Sequence, residues 1–505
     1  MSRTQNAITN TIFGLFLKLY QAVLPFVVRT VMIRTIGINY LGLNSLFTSV
    51  LQTLSIAELG ISGAITFSMY EPIAQKDRQK VCALLRLYRL LYGIIGLAVL
   101  LLGACLIPFL PKLISGDVPA DINIYVLYSM YLVSTALSYS LFSYRSSLLE
   151  AHQHNSVISK ISIVTATIQF SLQILFLLIF KNYYLFILTQ FAVQLVNQTI
   201  VYICVRKLYP DLKPEGSLDR QLVKNIFQKV KDLFTARIGG IVLHASDTIV
   251  ISMFLGLTIL AVYQNYFYII TAITGFISTM LVGSMAGIGN SIVTESNEKN
   301  YNDFRRFTFI LSWIVCVCTN CFLVLFQPFM KLWMGEENML SMSMVVMFCV
   351  YFVLYEYNQL FNLYKDAAGL WHEDRFRPLV TALTNLSLNI LLVQKIGVYG
   401  IIASTVLSML IVGMPWLLHN LFSTLFHRGV TGYLKEIAKY AAVTLVSCLM
   451  SFLCTGYLNL SGIPGLIVYA AVAVCIPCCC YMVVFRKSAY FNDTMLLVKR
   501  LLRKR

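Results

Sequence analysis

The chain has 505 residues, of which 58% are apolar and only 12% charged, and its mean hydropathy is +0.75. This composition supplies too little polar surface to cover soluble domains, so it predicts an all-α membrane protein without a soluble catalytic domain. The net charge of +17 reflects 39 lysines and arginines. Their placement along the chain is typical of membrane topology and not of a nucleic-acid interface.

Fourteen apolar stretches are long enough to cross about 30 Å of hydrocarbon, which takes a helix of about 20 residues. If both chain ends lie in the cytosol, five basic residues fall singly in outside turns and three fall within spans. The others lie in or beside inside loops, as the positive-inside rule requires. The predicted spans are 10–35, 41–69, 84–110, 121–144, 156–180, 184–205, 233–256, 259–290, 305–329, 339–364, 377–395, 398–422, 434–457 and 463–485.

The first apolar stretch predicts a retained span and not a cleaved signal peptide, because it is long and contains Lys18 and Arg29. Thirteen cysteines are present, and most lie inside apolar stretches. We interpret them as small packing residues, not as metal ligands or disulfides. No metal site and no cofactor is predicted.

The longest polar interval, residues 206–232, separates six predicted spans from the next six. Within it, residues 218–234 carry apolar side chains at helical spacing and predict a helix in the membrane interface. The predicted division is a first lobe at 1–206, a cytosolic basic linker at 207–232 and a second lobe at 233–423. Residues 424–505 add two further spans and a basic cytosolic tail.

A weak internal repeat relates the two predicted lobes. An offset of 219 places residues 18–41 over 237–260 and aligns Lys18 with Arg237, Gly37 with Gly256, and Leu41 with Leu260. Repeated halves are typical of secondary transporters. An even number of spans separates the copies, so they are predicted to be parallel and to enclose a central cavity.

Charged residues within spans are costly and usually face a water-filled cavity or a partner. Counting along the helix places Arg29 about 12 Å below the outside turn and Lys18 about 28 Å below it. Arg29 is the first candidate for a substrate contact, because guanidinium binds phosphate oxygens in a planar fork. The alternatives are a static pair with Asp247 or a side chain reaching to the membrane surface. The other candidate cavity residues are Lys18, Arg237, Gln264 and Asn265.

Three residues are candidates for gating or ion coupling, namely Glu58, Asp247 and His244. Glu58 lies about 26 Å down the second span, level with Lys18, so it predicts either a gate or an ion pair between helices. A carboxylate in a low dielectric has a raised affinity for protons. The alternative for His244 is a buried histidine whose hydrogen bonds are satisfied within the protein and which has no gating or coupling role.

Asn385 and Asn389 either line the same cavity or form hydrogen bonds between helices. The chain has no Gly-x-x-x-x-Gly-Lys-Ser/Thr phosphate loop, which excludes ATP hydrolysis through that motif. The outside turns are short, which argues against a membrane glycosyltransferase or polymerase. The chain is therefore predicted to be a transporter and not an enzyme.

The segment from Tyr40 to Tyr92 is similar to the N-terminal region of bacterial oligosaccharide flippases of the Wzx type. The similar features are GLNSLF from residue 42, AELG from residue 57, and YEPIA from residue 70. The span count, the central basic linker and TIVI at 248–251 extend the resemblance along nearly the whole chain.

This resemblance implies the fold of the multidrug/oligosaccharidyl-lipid/polysaccharide exporter superfamily, in which two six-helix lobes alternately open a cavity to either side. It implies that an oligosaccharide on undecaprenyl pyrophosphate moves to the outer leaflet of the bacterial plasma membrane for surface polysaccharide assembly. H⁺ or Na⁺ is the implied coupling ion, and membrane lipids, a polymerase and glycosyltransferases are the implied partners. Arg29 has the positive charge that the family's cationic cavity implies.

Two alternatives share this fold. A multidrug or metabolite cation antiporter would have an acidic cavity, whereas a peptidoglycan lipid flippase would also favour a cationic one. The charge of the cavity therefore discriminates between an anionic and a cationic substrate. The segment from Tyr40 to Tyr92 argues against the peptidoglycan lipid flippase.

Overall fold

The computed structural model describes residues 3–58, 61–116, 118–140, 143–458 and 460–503, with most of their side chains. Every regular element in these ranges is helical, which confirms the predicted all-α class. The chain divides into two compact units, Met1–Ala261 and Val262–Arg505.

The first unit is built from long apolar helices with short caps and turns. The Asp77 side chain accepts a hydrogen bond from the Lys80 amide and begins α4, and Asn182 caps α8 in the same way. Its helices are α1 (Arg3–Thr35), α2 (Ile38–Leu54), α3 (Ile61–Ala74), α4 (Arg78–Leu106), α5 (Ile124–Ser140), α6 (Ser146–Ala151), α7 (Asn155–Ile179), α8 (Tyr183–Leu208) and the first part of α9 (Arg220–Thr294).

Two predicted spans of this unit are interrupted. The stretch predicted as one span at 41–69 consists of α2, a 3₁₀ turn at Ser55–Glu58, and α3 from Ile61. The stretch predicted at 121–144 ends as a regular helix at Ser140, and a 3₁₀ turn at Ser143–Arg145 leads into α6. Irregular backbone at membrane depth is tolerated only where it is buried in protein or lines a polar cavity.

The predicted linker helix and the seventh span are continuous in the structure. Residues 217–238 contain neither glycine nor proline, so nothing in the sequence ends the helix there. The continuous α9 breaks at Gly256, whose φ of 87° and ψ of 175° are not helical. Glycine tolerates this conformation because it lacks a Cβ atom.

The second unit contains the rest of α9 and nine further helices. Ser296 and Ser341 cap α10 and α11 through hydrogen bonds from the Lys299 and Met344 amides. The helices are α10 (Asn297–Met334), α11 (Met342–Ala367), α12 (Trp371–Asp374), α13 (Arg377–Ile396), α14 (Val398–Ser408), α15 (Met414–Asn420), α16 (Thr431–Leu458), α17 (Gly462–Phe485) and α18 (Ala489–Arg503). π-helical turns flank α15 at Met409–Gly413 and Leu421–Leu425.

The two appended spans, α16 and α17, pack against α10. The Asn320 amide donates to Ser447 Oγ at 3.0 Å, and Ser451 donates to Asn320 Oδ1 at 2.7 Å. At one end of α10, Arg305 forms a bidentate ion pair with Glu436 on α16. These bonds fix α16 to the second unit, because polar groups in a membrane span must find partners inside the protein.

Ten helices in the described ranges are long and apolar enough to cross a membrane, and Ile124–Tyr139 is a shorter apolar helix. One of the ten, Ala245–Thr294, has 50 residues and contains the break at Gly256, so it accounts for parts of two predicted spans. The protein is therefore a multi-pass membrane protein. The predicted number of fourteen spans is approximate.

Candidate functional site

The first unit contains a polar cavity of about 330 Å³ between its helices. Side chains from α3, α4, α5, α6, α8 and the 3₁₀ turn that precedes α3 line it, and all are acidic, hydroxyl-bearing or amide-bearing. They are Glu58, Ser62, Tyr88, Tyr92, Ser138, Tyr139, Ser146, Glu150, Gln194 and Gln198. We call this the polar pocket.

Glu58 is the most strongly engaged residue of the polar pocket. Its Oε1 atom accepts a hydrogen bond of 2.6 Å from the Tyr92 hydroxyl, which itself accepts one of 2.9 Å from Tyr88. Tyr139, from α5, lines the same pocket as Glu58. The Tyr92 phenol therefore holds the carboxylate, and the hydrogen bond from Tyr88 orients that phenol.

The charge of the polar pocket is acidic. Glu150 is partly buried at its wall, and neither Glu58 nor Glu150 belongs to an ion pair in the described part of the chain. No lysine or arginine is among the lining residues. Two carboxylates with no compensating cation among the described side chains favour uptake of a proton or a small cation and oppose entry of a phosphate.

The backbone around the polar pocket explains how the polar groups reach membrane depth. Glu58 ends the 3₁₀ turn before α3, whereas Ser138 and Tyr139 lie at the end of α5 and Ser146 begins α6. Both interrupted spans thus meet at one cavity. Discontinuous helices of this kind form the ion and substrate sites of many transporters.

Two other predicted charges of the first unit are partly or fully enclosed. Asp247 is 6% exposed and lies between the buried Ser246 and Thr248 on α9. Arg29 is partly buried on α1, and both charges interact with neighbouring groups. The predicted roles of the Lys18, Arg237 and His244 side chains lie outside the described residues.

The amide candidates of the second unit act as links between helices. The fully buried Asn265 donates to Met334 Sδ at 3.0 Å and joins α9 to α10. Its neighbour Gln264 is partly buried and interacts with other groups. Asn389 donates to Asn385, which donates to Thr405 at 2.9 Å on α14. Of the two alternatives for Asn385 and Asn389, the structure therefore supports hydrogen bonds between helices.

Two turns that are predicted to face outside meet within the first unit. Gly37, with φ 108° and ψ 166°, has nearly the same backbone conformation as Gly256, its predicted equivalent in the repeat. The Thr258 hydroxyl donates to Asn39 Oδ1 at 2.7 Å, and these two residues are also 219 apart. Both observations fall on residue pairs that the predicted repeat aligns, and the repeat itself stays a prediction.

The same region is closed by further contacts. The Ser115 amide donates to the Ser252 carbonyl at 2.9 Å, and Gly42 on α2 packs directly against the Leu257 backbone. A Cβ atom at Gly42 would lie 3.0 Å from Leu257 Cβ and closer still to its carbonyl oxygen. Only glycine permits this approach. We call this set of contacts the outer-turn contact.

Sequence reasoning missed several residues of the polar pocket and one carboxylate of the second unit. Glu150 falls between the predicted spans 121–144 and 156–180, because the turn and short helix α6 that place it against the pocket leave no periodic signal. Gln194 and Gln198 are one helical turn apart, and that spacing was a usable signal. Glu356 lies within the predicted span 339–364, so its charge alone was sufficient to mark it.

The fold is similar to solved structures of membrane transport proteins. A structure of the lipid II flippase MurJ in an inward closed conformation matches with a TM-score of 0.68 and 14% identity, over 95% of this chain and 99% of that chain. An inward-facing multidrug resistance MATE family transporter of the MOP superfamily matches with a TM-score of 0.61 and 12% identity, over 82% and 96%. A mutant of the MATE transporter VcmN of Vibrio cholerae matches with a TM-score of 0.53 and 13% identity, over 84% and 100%.

At these identities the likeness shows the fold alone, and it is the fold of the matched flippase and MATE transporters. The matched proteins are by name a flippase and transporters, not enzymes. A family model described as polysaccharide biosynthesis protein matches residues 7–285, and the chain belongs to that family. No curated protein sequence matches the chain. The narrower assignment to the Wzx type stays a prediction.

Proposed function

We propose that this protein is a flippase that moves oligosaccharide units on undecaprenyl pyrophosphate from the inner to the outer leaflet of a bacterial plasma membrane. The observation that carries this proposal is the membership in the polysaccharide biosynthesis family, which spans residues 7–285. The likeness to a lipid II flippase over 95% of the chain supports it, because that protein is named for a lipid-linked substrate.

The physical task explains why such a fold is needed. A diphosphate sugar cannot cross hydrocarbon unaided, because its charges and hydroxyls would lose their water. A polar cavity replaces that water for the head group, while the prenyl tail remains in lipid. In this proposal Arg29 binds the pyrophosphate through its planar guanidinium, and Lys18, Arg237 and Gln264 are the further candidate contacts. Asn265, also predicted as a contact, is fully buried against Met334 in this conformation.

The polar pocket is assigned to energy coupling and not to the head group. Its volume of about 330 Å³ is near the lower limit for drug-sized ligands and too small for a diphosphate oligosaccharide. Its two carboxylates would also repel phosphate. We assign Glu58 to the binding of H⁺ or Na⁺, and Asp247 and His244 remain candidates for the same coupling or for gating.

Alternating access requires a contact that closes one side while the other is open. The outer-turn contact is suited to this role, because two hydrogen bonds and one close glycine approach are easily broken and re-formed. An ion gradient, or the membrane potential at about 2.3 kcal/mol per charge per 100 mV, would bias the cycle. Both chain ends lie in the cytosol in this proposal.

The acidic polar pocket also favours a second candidate, a cation antiporter like the MATE transporters that the fold resembles. Deletion of the gene distinguishes the two functions. The flippase requires that lipid-linked oligosaccharide accumulates and that surface polysaccharide is lost, with restoration by the intact gene. Normal surface polysaccharide together with increased sensitivity to cationic drugs would contradict the flippase and support the antiporter.

A further inference from the structure

Glu356 of the second unit is a buried acid that the proposed function does not use. It lies in α11, about 21 Å along the helix from Met342 and about 16 Å from Ala367, which places it deep within the span. Its exposed fraction is 0%, and neither carboxyl oxygen has a hydrogen-bond partner. Phe352 and Leu360, one turn to either side, are also fully buried.

The groups around Glu356 offer no compensating charge. The titratable groups that interact with it are Cys318 on α10 and Tyr355 on its own helix, and neither is a cation. Of the other elements packed on α11, α14 contains only Tyr399, which is hydrogen-bonded to Ser341 near the start of α11. On α15 the one titratable side chain is the exposed His419.

The nearest cation along α11 already forms ion pairs with other residues. Lys365 lies nine residues further on, about 14 Å along the helix, and pairs with Asp366 and Asp374. No ion pair in the described part of the second unit includes Glu356. An ionised carboxylate without partners in a low dielectric is strongly disfavoured, so the neutral acid is the form that fits this site.

We propose that Glu356 is a proton-binding site of the second unit, loaded in this conformation and unloaded when a conformational change brings water to it. A proton suits this site because a single carboxyl oxygen is enough to bind it. A metal ion needs several ligand atoms, and the described residues contain no group of three or more acidic, histidine or cysteine side chains that could hold one. Unloading requires hydration, because only water or a new polar partner stabilises the carboxylate.

Infrared difference spectroscopy of the full chain in micelles of a detergent without ester groups tests this proposal without a substrate. The wild-type protein at neutral pH should show a C=O stretch of a protonated carboxylic acid that is missing from Glu356→Gln in the difference between the two spectra. Glu337→Gln is the matched control, because Glu337 is exposed in the turn Glu336–Asn338, and it should leave the component unchanged. A component that is absent from the wild type, or unchanged in Glu356→Gln, would overturn the proposal.

A second variant covers the case in which Glu356→Gln does not fold. Glu356→Met replaces an unpartnered acid with an apolar side chain of similar length, and it should fold with a thermal midpoint equal to or above that of the wild type. The same variant should lack the protonated-acid component. A strongly lowered midpoint in Glu356→Met would mean that the carboxyl makes stabilising polar bonds, which contradicts the proposal.

Discussion

Gly42→Ala should force the outer-turn contact apart. The added Cβ atom would lie 3.0 Å from both the Cβ and the carbonyl carbon of Leu257, whereas nonbonded carbon atoms prefer about 3.5–4.0 Å. The obstructing atoms belong to backbone and Cβ, so no flexible side-chain end can move away. The two turns must therefore separate by about 0.5–1 Å, at the distances just given.

Overpacking of this kind costs about 1–3 kcal/mol. If the contact opens and closes during function, the cost falls on the closed form alone and shifts the equilibrium toward the open form about 5- to 150-fold. Hydrogen exchange of the full chain in nanodiscs measures this shift. Peptides covering residues 37–43 and 252–258 should exchange faster by that factor, while peptides from α10 should not change.

Gly93→Ala is the matched control, because a Cβ atom at Gly93 would meet nothing within 4 Å. It should leave exchange at the outer turns as in the wild type. Unchanged exchange in a folded Gly42→Ala protein would mean that the close approach of Gly42 to Leu257 does not hold the two turns together. Equal acceleration throughout the chain would also contradict the prediction, since that result means a general loss of stability and not the opening of one contact.

Three further predictions concern separate parts of the chain. Arg29→Ala should lower surface polysaccharide at least tenfold while membrane insertion and protein amount stay normal; normal polysaccharide would remove Arg29 from the proposed head-group site. Tyr92→Phe removes a hydrogen bond worth about 1.5–3 kcal/mol that stabilises the ionised Glu58 carboxylate, so protons should bind more tightly and the proton concentration for half-maximal transport should fall about tenfold or more; an unchanged proton dependence would argue against coupling there. Gly400→Ala should lower the thermal midpoint through a cost of about 1–3 kcal/mol, because its Cβ atom would lie within 2.7 Å of the α13 backbone, whereas Gly93→Ala should not; equal midpoints would contradict the close packing of α13 and α14.

The helical class and the approximate spans followed from apolar length alone, because a membrane span must satisfy its backbone hydrogen bonds within one helix. The repeat was visible in a few matches, and the shared conformation of Gly37 and Gly256 now supports it. Short sequence matches of this kind can be recognised without knowledge of the three-dimensional structure. The pairing of Asn39 with Thr258 needed the three-dimensional fold, since residues 219 apart carry no local sign of contact.

The candidate site was predicted only in part. Glu58 was found because a charge in an apolar stretch is conspicuous, but its tyrosine partners were not, since tyrosine is common throughout the chain. The interruption of the second span at Glu58 was also missed, because the apolar pattern continues on both sides of it. Glu150 reaches the polar pocket through a 3₁₀ turn and a six-residue helix, which tertiary packing and not periodicity determines.

The most direct test of the central proposal is a flipping assay with the purified full chain in proteoliposomes. Undecaprenyl-pyrophosphate-linked oligosaccharide is placed in the inner leaflet, and a lectin added outside measures its arrival in the outer leaflet. Arrival should be much faster than in protein-free vesicles, and Arg29→Ala should lose that acceleration. Arrival at the rate of protein-free vesicles, while the same proteoliposomes exchange a cationic drug for protons, would contradict the proposal.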